Sequence, residues 1–225
     1  MTIVTLLIFL GEVFVISLTG ALQPGPVTAT AITIGTRNRW AGVLLALGHG
    51  IIEFPLIVVI VMGMGKYFQI PKVQIAIGLA GGAFLILMGV QTYLGLKAGP
   101  DNKPKALHGK PILAGIILTG SNPYFLLWWA TVGLALANQA PAEWGIWAFV
   151  FFALTHWFVD LIWLHLLSWV SSKGSNLLSQ YNLNCILKGC SAAMLLFGVN
   201  FLFLSLCTIV EIIYFHYLAA YQGFV

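Results

Sequence analysis

Charge is what this sequence has least of. Asp, Glu, Lys and Arg make up 7% of the 225 residues, where a soluble domain carries about 25%. With 60% hydrophobic residues and a mean hydropathy of +0.98, a water-soluble fold is excluded, and a bilayer is the solvent for most of the chain. The net charge of +4 does not mark a nucleic-acid partner, because the basic residues sit in short connections with no aromatic-and-basic surface beside them. Cysteine is scarce as well. Cys185, Cys190 and Cys207 lie in or beside one apolar run without a CxxC pair or a matching histidine spacing, which leaves them as small packing residues. No nucleophile–base arrangement is visible, so neither enzyme activity nor a cofactor is expected. The first apolar run has no basic residue before it and continues to Ile34, too long for a signal-peptide core. It is expected to stay as a membrane segment.

Six runs reach the roughly 20 apolar residues that a transmembrane helix needs: 3–35, 40–65, 72–97, 111–137, 143–170 and 184–216. The longest connection, Ala98 to Lys110, carries Asp101, Lys103, Lys105, His108 and Lys110. It divides the chain into a three-helix repeat over 1–97, a basic cytoplasmic linker over 98–110 and a second three-helix repeat over 111–225. Three is an odd number, so the second half enters the membrane from the opposite side. The expected fold is therefore all-α, six transmembrane helices arranged as two inverted repeats. Arg37, Arg39, Lys97, Lys103, Lys105, Lys110, Lys173 and Lys188 fall on one side, and only Lys66 and Lys72 on the other. The positive-inside bias then places both termini outside.

Segment 1 is too long for one straight span, since its 33 residues would cover about 50 Å against a core of about 30 Å. Near its middle stands Gln23-Pro24-Gly25-Pro26, and prolines there cannot continue a regular helix. Segment 4 repeats the feature at Thr119-Gly120-Ser121-Asn122-Pro123. Helices 1 and 4 are thus expected to be broken by proline. Backbone groups freed at membrane depth must be satisfied by protein or by a wet cavity, and interrupted segments at matching places in two halves point to a transporter's binding site. Segments 3 and 6 match in turn through Gly89-Val90-Gln91 and Gly198-Val199-Asn200. Gln91 and Asn200 are candidates to line the pathway or to bond across helices. Gly78 and Gly82 offer a close-packing face that would also permit a homodimer.

The ionisable residues inside the apolar runs carry most of the argument. His49 and Glu53 stand four residues apart, on one helical face. His156 and Asp160 repeat the pair in segment 5, and both members are shifted by the same 107 positions. An acid at the centre of a membrane helix costs roughly 2.5–3.5 kcal/mol on insertion scales. Three readings stand open. Each histidine neutralises its own acid and the pairs lock the halves together; or the carboxylates carry protons, with the histidines tuning or relaying them; or the four side chains hold a divalent metal. His165, among leucines and tryptophans, is a packing histidine. Glu12 and Glu211 lie near segment ends, and Trp128 or Trp129 could wall a cavity for a cationic amine.

The Gln23-Pro24-Gly25-Pro26 break, Gly48-His49-Gly50 with Glu53, the run from Gly81-Gly82 to Gly89, and Ser121-Asn122-Pro123-Tyr124 together resemble the LysE-type translocators. That is the lysine exporter family of small six-helix efflux proteins, and the match spans nearly the whole chain. The resemblance implies a multi-pass exporter of the cytoplasmic membrane, moving amino acids or related small solutes on a proton or ion gradient. The wider superfamily also holds divalent-metal exporters and thiol–disulfide carriers; no cysteine lies near Pro24 or Pro123, where a redox pair would be needed. The expectation is therefore proton-coupled alternating access. Gln23, Pro24, Gly25, Pro26, Thr119, Asn122, Pro123, Gln91 and Asn200 would contact substrate, and His49, Glu53, His156 and Asp160 would couple protons. The alternative is export of a divalent cation on those last four residues as metal ligands. The partners are then a small-molecule substrate, protons and the lipid bilayer.

Overall fold

A computed structural model describes residues 2–63, 67, 70–97, 109–173 and 180–222, and every extended regular element in them is helical. Segment 1 forms α1 (Thr2–Ala21) and α2 (Pro26–Gly35), segment 2 forms α3 (Ala41–Val61), and segment 3 forms α4 (Pro71–Lys97). Segment 4 is divided into α5 (Pro111–Gly120), α6 (Pro123–Trp128), a π-helical turn (Trp129–Gly133) and α7 (Leu134–Asn138). A 3₁₀ turn at Ala142–Trp144 leads into α8 (Ile146–Lys173), and α9 runs over Gln180–Gln222. Five helices are long and apolar enough to cross a membrane, or six if the bent pair of segment 4 counts as one span. Linker residues 98–108 lie outside the described residues.

Both breaks have a local chemical cause. At the first, Gly25 is extended (φ −151°, ψ −172°) and Pro26 opens α2, where its missing N–H costs nothing. Thr28 Oγ1 donates to the Gln23 carbonyl at 3.0 Å, which satisfies one oxygen that the interruption frees. At the second, Asn122 is extended and caps α6 by accepting the Tyr124 amide on Oδ1 at 3.1 Å, again ahead of a proline. The two halves of segment 4 meet at 58°.

The outer faces of the long helices are apolar and exposed, as at Leu7, Ile8, Leu196 and Val210, as lipid contact requires. Inside, α3 packs on α5 and α8, α1 and α2 pack on α8, and α4 pairs with α9. Glycine sets the closest of these crossings. A methyl on Gly48 would overlap the Ile112 carbonyl and one on Gly115 the Leu45 carbonyl, so α3 and α5 touch backbone to backbone. Gly82 and Gly198 do the same for α4 and α9: a Cβ on either would lie within 2.9 Å of the other's carbonyl oxygen. The small-residue face at Gly78 and Gly82 is therefore occupied within the chain.

Candidate functional site

The α3–α8 contact brings the two histidine–acid pairs into one ring. His49 Nε2 lies 3.2 Å from Glu53 Oε1 and 3.6 Å from Asp160 Oδ2. His156 Nε2 lies 3.0 Å from Glu53 Oε1 and 3.4 Å from Asp160 Oδ2. Each imidazole thus faces both carboxylates, and each carboxylate faces both imidazoles. The four residues that the sequence pairs within helices are also paired between them.

The other nitrogen of each ring is held by a hydroxyl from a broken segment. His49 Nδ1 is 2.9 Å from Thr119 Oγ1, and His156 Nδ1 is 2.7 Å from Ser17 Oγ. This fixes both ring planes, so Nε2 of each can only point at the carboxylates. Thr19, which aligns with Thr119 in sequence, instead donates to the Ile16 carbonyl at 2.6 Å. Ser17 was not foreseen; a lone hydroxyl in an apolar run was its only sequence signal.

The two acids are not equivalent. Glu53 is wholly buried, and its Oε2 has no hydrogen-bond partner among the described residues. Asp160 keeps 13% of its side chain exposed and lines a cavity of about 70 Å³, large enough to admit water. Aromatic rings close the ring's other sides. Trp128 stacks on His156 at 4.8 Å and Trp129 meets it edge-on at 5.0 Å, while Phe125 meets His49 edge-on at 5.1 Å. An imidazolium or ammonium is favoured against such faces.

The cavity extends from the ring to both breaks. Gln23, Gly25, Val27 and Thr28 line it from the first, and Thr119 and Asn122 from the second. Ala29 N–H is bonded to the Gly25 carbonyl, whereas the Val27 and Thr28 amides have no acceptor among the described residues. Those two amides are the donors that the start of a helix leaves over. Pro24, Pro26 and Pro123 shape the breaks without lining the cavity. Gln91 is exposed on α4 and lines neither this cavity nor a larger groove, to which Asn200 belongs. Both Trp128 and Trp129 wall the cavity. His165 packs against Trp40, rings stacked at 5.1 Å, with no described partner for its Nδ1. Glu12 and Glu211 are exposed on α1 and α9.

Charge arithmetic shows what the ring can do. With both acids ionised and both imidazoles neutral it carries −2; two added protons bring it to zero. In a low-dielectric interior an uncompensated net charge is costly. Membrane-length helices around a small cavity, with two interrupted segments touching it, suit a multi-pass membrane transporter. Residues 18–205 match the model of the LysE type translocator family, and the chain belongs to that family. The family is one of transporters, exporting amino acids or similar solutes, and not of enzymes. No curated protein and no solved structure matches the chain.

Proposed function

We propose that the protein exports an amino acid or a similarly small amphoteric solute by proton antiport, with the imidazole–carboxylate ring as the proton-carrying site. The observation that carries this reading is the convergence of His49, Glu53, His156 and Asp160 beside a cavity that reaches both breaks. The solute's carboxylate would meet the free Val27 and Thr28 amides at the positive end of α2. Its ammonium would meet Asp160 and the tryptophan faces. An ammonium beside Asp160 and protons on the ring then compete for the same negative charge, which is the exclusion an antiporter needs.

The packing supports an exchange of the two halves across a pseudo-two-fold axis. Swapping halves turns the α3–α5 contact into α8–α1 and the α4–α6 contact into α9–α2, and all four occur, while the α2–α8 contact has only the smaller α3–α7 contact in its place. The α3–α8 and α4–α9 contacts map onto themselves. The two inverted repeats, 1–97 and 111–225, would work by alternating access, in the cytoplasmic membrane as in the exporter family, with both termini outside on the positive-inside bias.

A second reading is favoured by one observation. Single ligand atoms from His49, Glu53 and Asp160 all lie within 4.8 Å of one another, and a first-row divalent cation would accept that nitrogen-and-oxygen set. Export of such a cation would then be the activity. Proteoliposomes separate the readings. With a pH gradient imposed, labelled amino acids should move against their own gradient, and Asp160→Asn should abolish this uphill movement. Uphill movement of Co²⁺ with no effect on any amino acid would overturn the first reading in favour of the second.

A further inference from the structure

A second, larger cavity of about 620 Å³ lies between α4, α9 and the α6–α7 arm. It is a groove, and its described lining carries no charged side chain. Amides and hydroxyls are spaced along it: Gln74, Thr131 and Thr208 towards the end where α4 begins, and Asn200 and Ser205 deeper in. The Thr131 and Thr208 hydroxyls donate to the Leu127 and Leu204 carbonyls of their own helices at 2.8 and 3.0 Å, which leaves the Gln74 and Asn200 amides as the groups to which lipid tails offer no partner. The groove ends on Tyr124 and Trp128, and these two residues line the ring cavity as well. They are the partition between the two spaces.

Trp128 is buried and stacks on His156, but the polar anchors of the partition are long. Trp128 Nε1 donates to Thr19 Oγ1 and Tyr124 Oη donates to the Thr19 carbonyl, both at 3.5 Å, the long limit for such bonds. The Trp128 ring lies against Gly20, where a Cβ would sit 3.5 Å from Cε2. Tyr124 and Trp128 both belong to α6, six residues between the 58° break and the π-helical turn. A π-turn inside a helix interrupts the regular bonding ladder and is often found at functional sites. α6 is therefore a short arm with an irregular joint at either end.

We propose that the groove is the vestibule through which solute passes between the ring cavity and one membrane face, with Tyr124 and Trp128 as its door and Thr19 as the latch. Its lining, mostly apolar with a few amides and hydroxyls, suits a solute of zero net charge, a zwitterion with a small side chain, since no described residue there would pair with an extra charge. The inference rests on the export reading only in taking the ring cavity as the solute's destination.

Cysteine accessibility tests this. In a background with Cys185, Cys190 and Cys207 changed to serine, membrane vesicles are treated with an impermeant cationic thiol reagent, which needs water to react. Thr131→Cys and Asn200→Cys should react about tenfold faster than Phe203→Cys, since Phe203 is 62% exposed on α9 and outside the groove. Gln23→Cys lines the ring cavity alone. Its rate should rise about tenfold when Trp128→Ala is added, and about threefold with the milder Trp128→Phe, which keeps a ring but removes the bond to Thr19. Labelling of Thr131→Cys and Asn200→Cys at the Phe203→Cys rate would mean that the groove holds lipid, and the proposal falls. It also falls if neither Trp128 change alters the Gln23→Cys rate. Failure of the proton-antiport reading shows instead in the flux of Asp160→Asn and leaves these labelling rates unchanged.

Discussion

Neutralising the two carboxylates one at a time should give unequal results. Glu53 is fully buried and Oε1 faces both imidazoles, at 3.2 and 3.0 Å. Asp160 makes the longer pair of contacts, 3.6 and 3.4 Å, and opens onto the cavity. Removing one partner of a buried ion pair costs about 3–5 kcal/mol, and Glu53→Gln should sit in that range because nothing but protein surrounds it. Asp160→Asn loses contacts at the margin of hydrogen bonding and leaves its amide at the edge of the cavity, so its cost should be about 0.5–1.5 kcal/mol. For a chain of this length each kcal/mol shifts Tm by roughly 2–4 °C, giving drops of about 6–20 °C for Glu53→Gln against about 1–6 °C for Asp160→Asn. Differential scanning fluorimetry of the purified protein in one detergent reads both. Gradient-driven efflux should be lost in each variant. Equal shifts in Tm, or a larger one for Asp160→Asn, would refute the assignment of Glu53 as the enclosed acid and Asp160 as the accessible one.

Removing the hydroxyls that fix the imidazoles, by Ser17→Ala or Thr119→Val, should lower turnover by roughly 5–30-fold with little change in KM, because about 1–2 kcal/mol of ring orientation is lost; efflux kinetics would show it. Asn122→Ala removes the cap of α6 and should destabilise by about 1 kcal/mol, seen as a small fall in Tm. Gly48→Ala places a methyl against the Ile112 carbonyl, and overpacking of this kind costs about 1–3 kcal/mol; expression and Tm should both fall. Changing all three cysteines to serine should leave transport within about twofold; abolished transport would reopen a redox role.

The histidine–acid pairs were legible because chemistry at membrane depth is rare and a shared spacing of 107 positions is hard to produce by accident. The breaks were legible for a similar reason: proline and glycine leave local signatures that do not depend on the rest of the fold. Ser17 was not. Its partner His156 lies 139 residues away, and only the docking of α1 on α8 brings them together. The register of the first repeat was also misleading, since Thr19 matches Thr119 by letter while Ser17 matches it by role. Gln91 shows the limit of matching by letter from another side. It follows Gly82 by nine residues, two and a half helical turns, so it lies on the face opposite the one that packs against α9. The π-helical turn at Trp129–Gly133 left no periodic trace in the sequence, because one extra residue in a turn is invisible in a run that is apolar on every side.

The i,i+4 placement of each histidine and acid bears on how the protein is made. The ring needs α3 and α8, yet α3 is synthesised and enters the bilayer while more than a hundred residues are still to come. A solitary Glu53 would have to cross that interval as an unpartnered acid in hydrocarbon. With His49 one turn away at 3.2 Å, the helix brings its own counter-group, and His156 does the same for Asp160 at 3.4 Å. Each half is thus insertable before it is functional. Assembly then exchanges two private pairs for one common ring, a late step whose completion would mark the difference between a chain that is merely embedded and one that can transport.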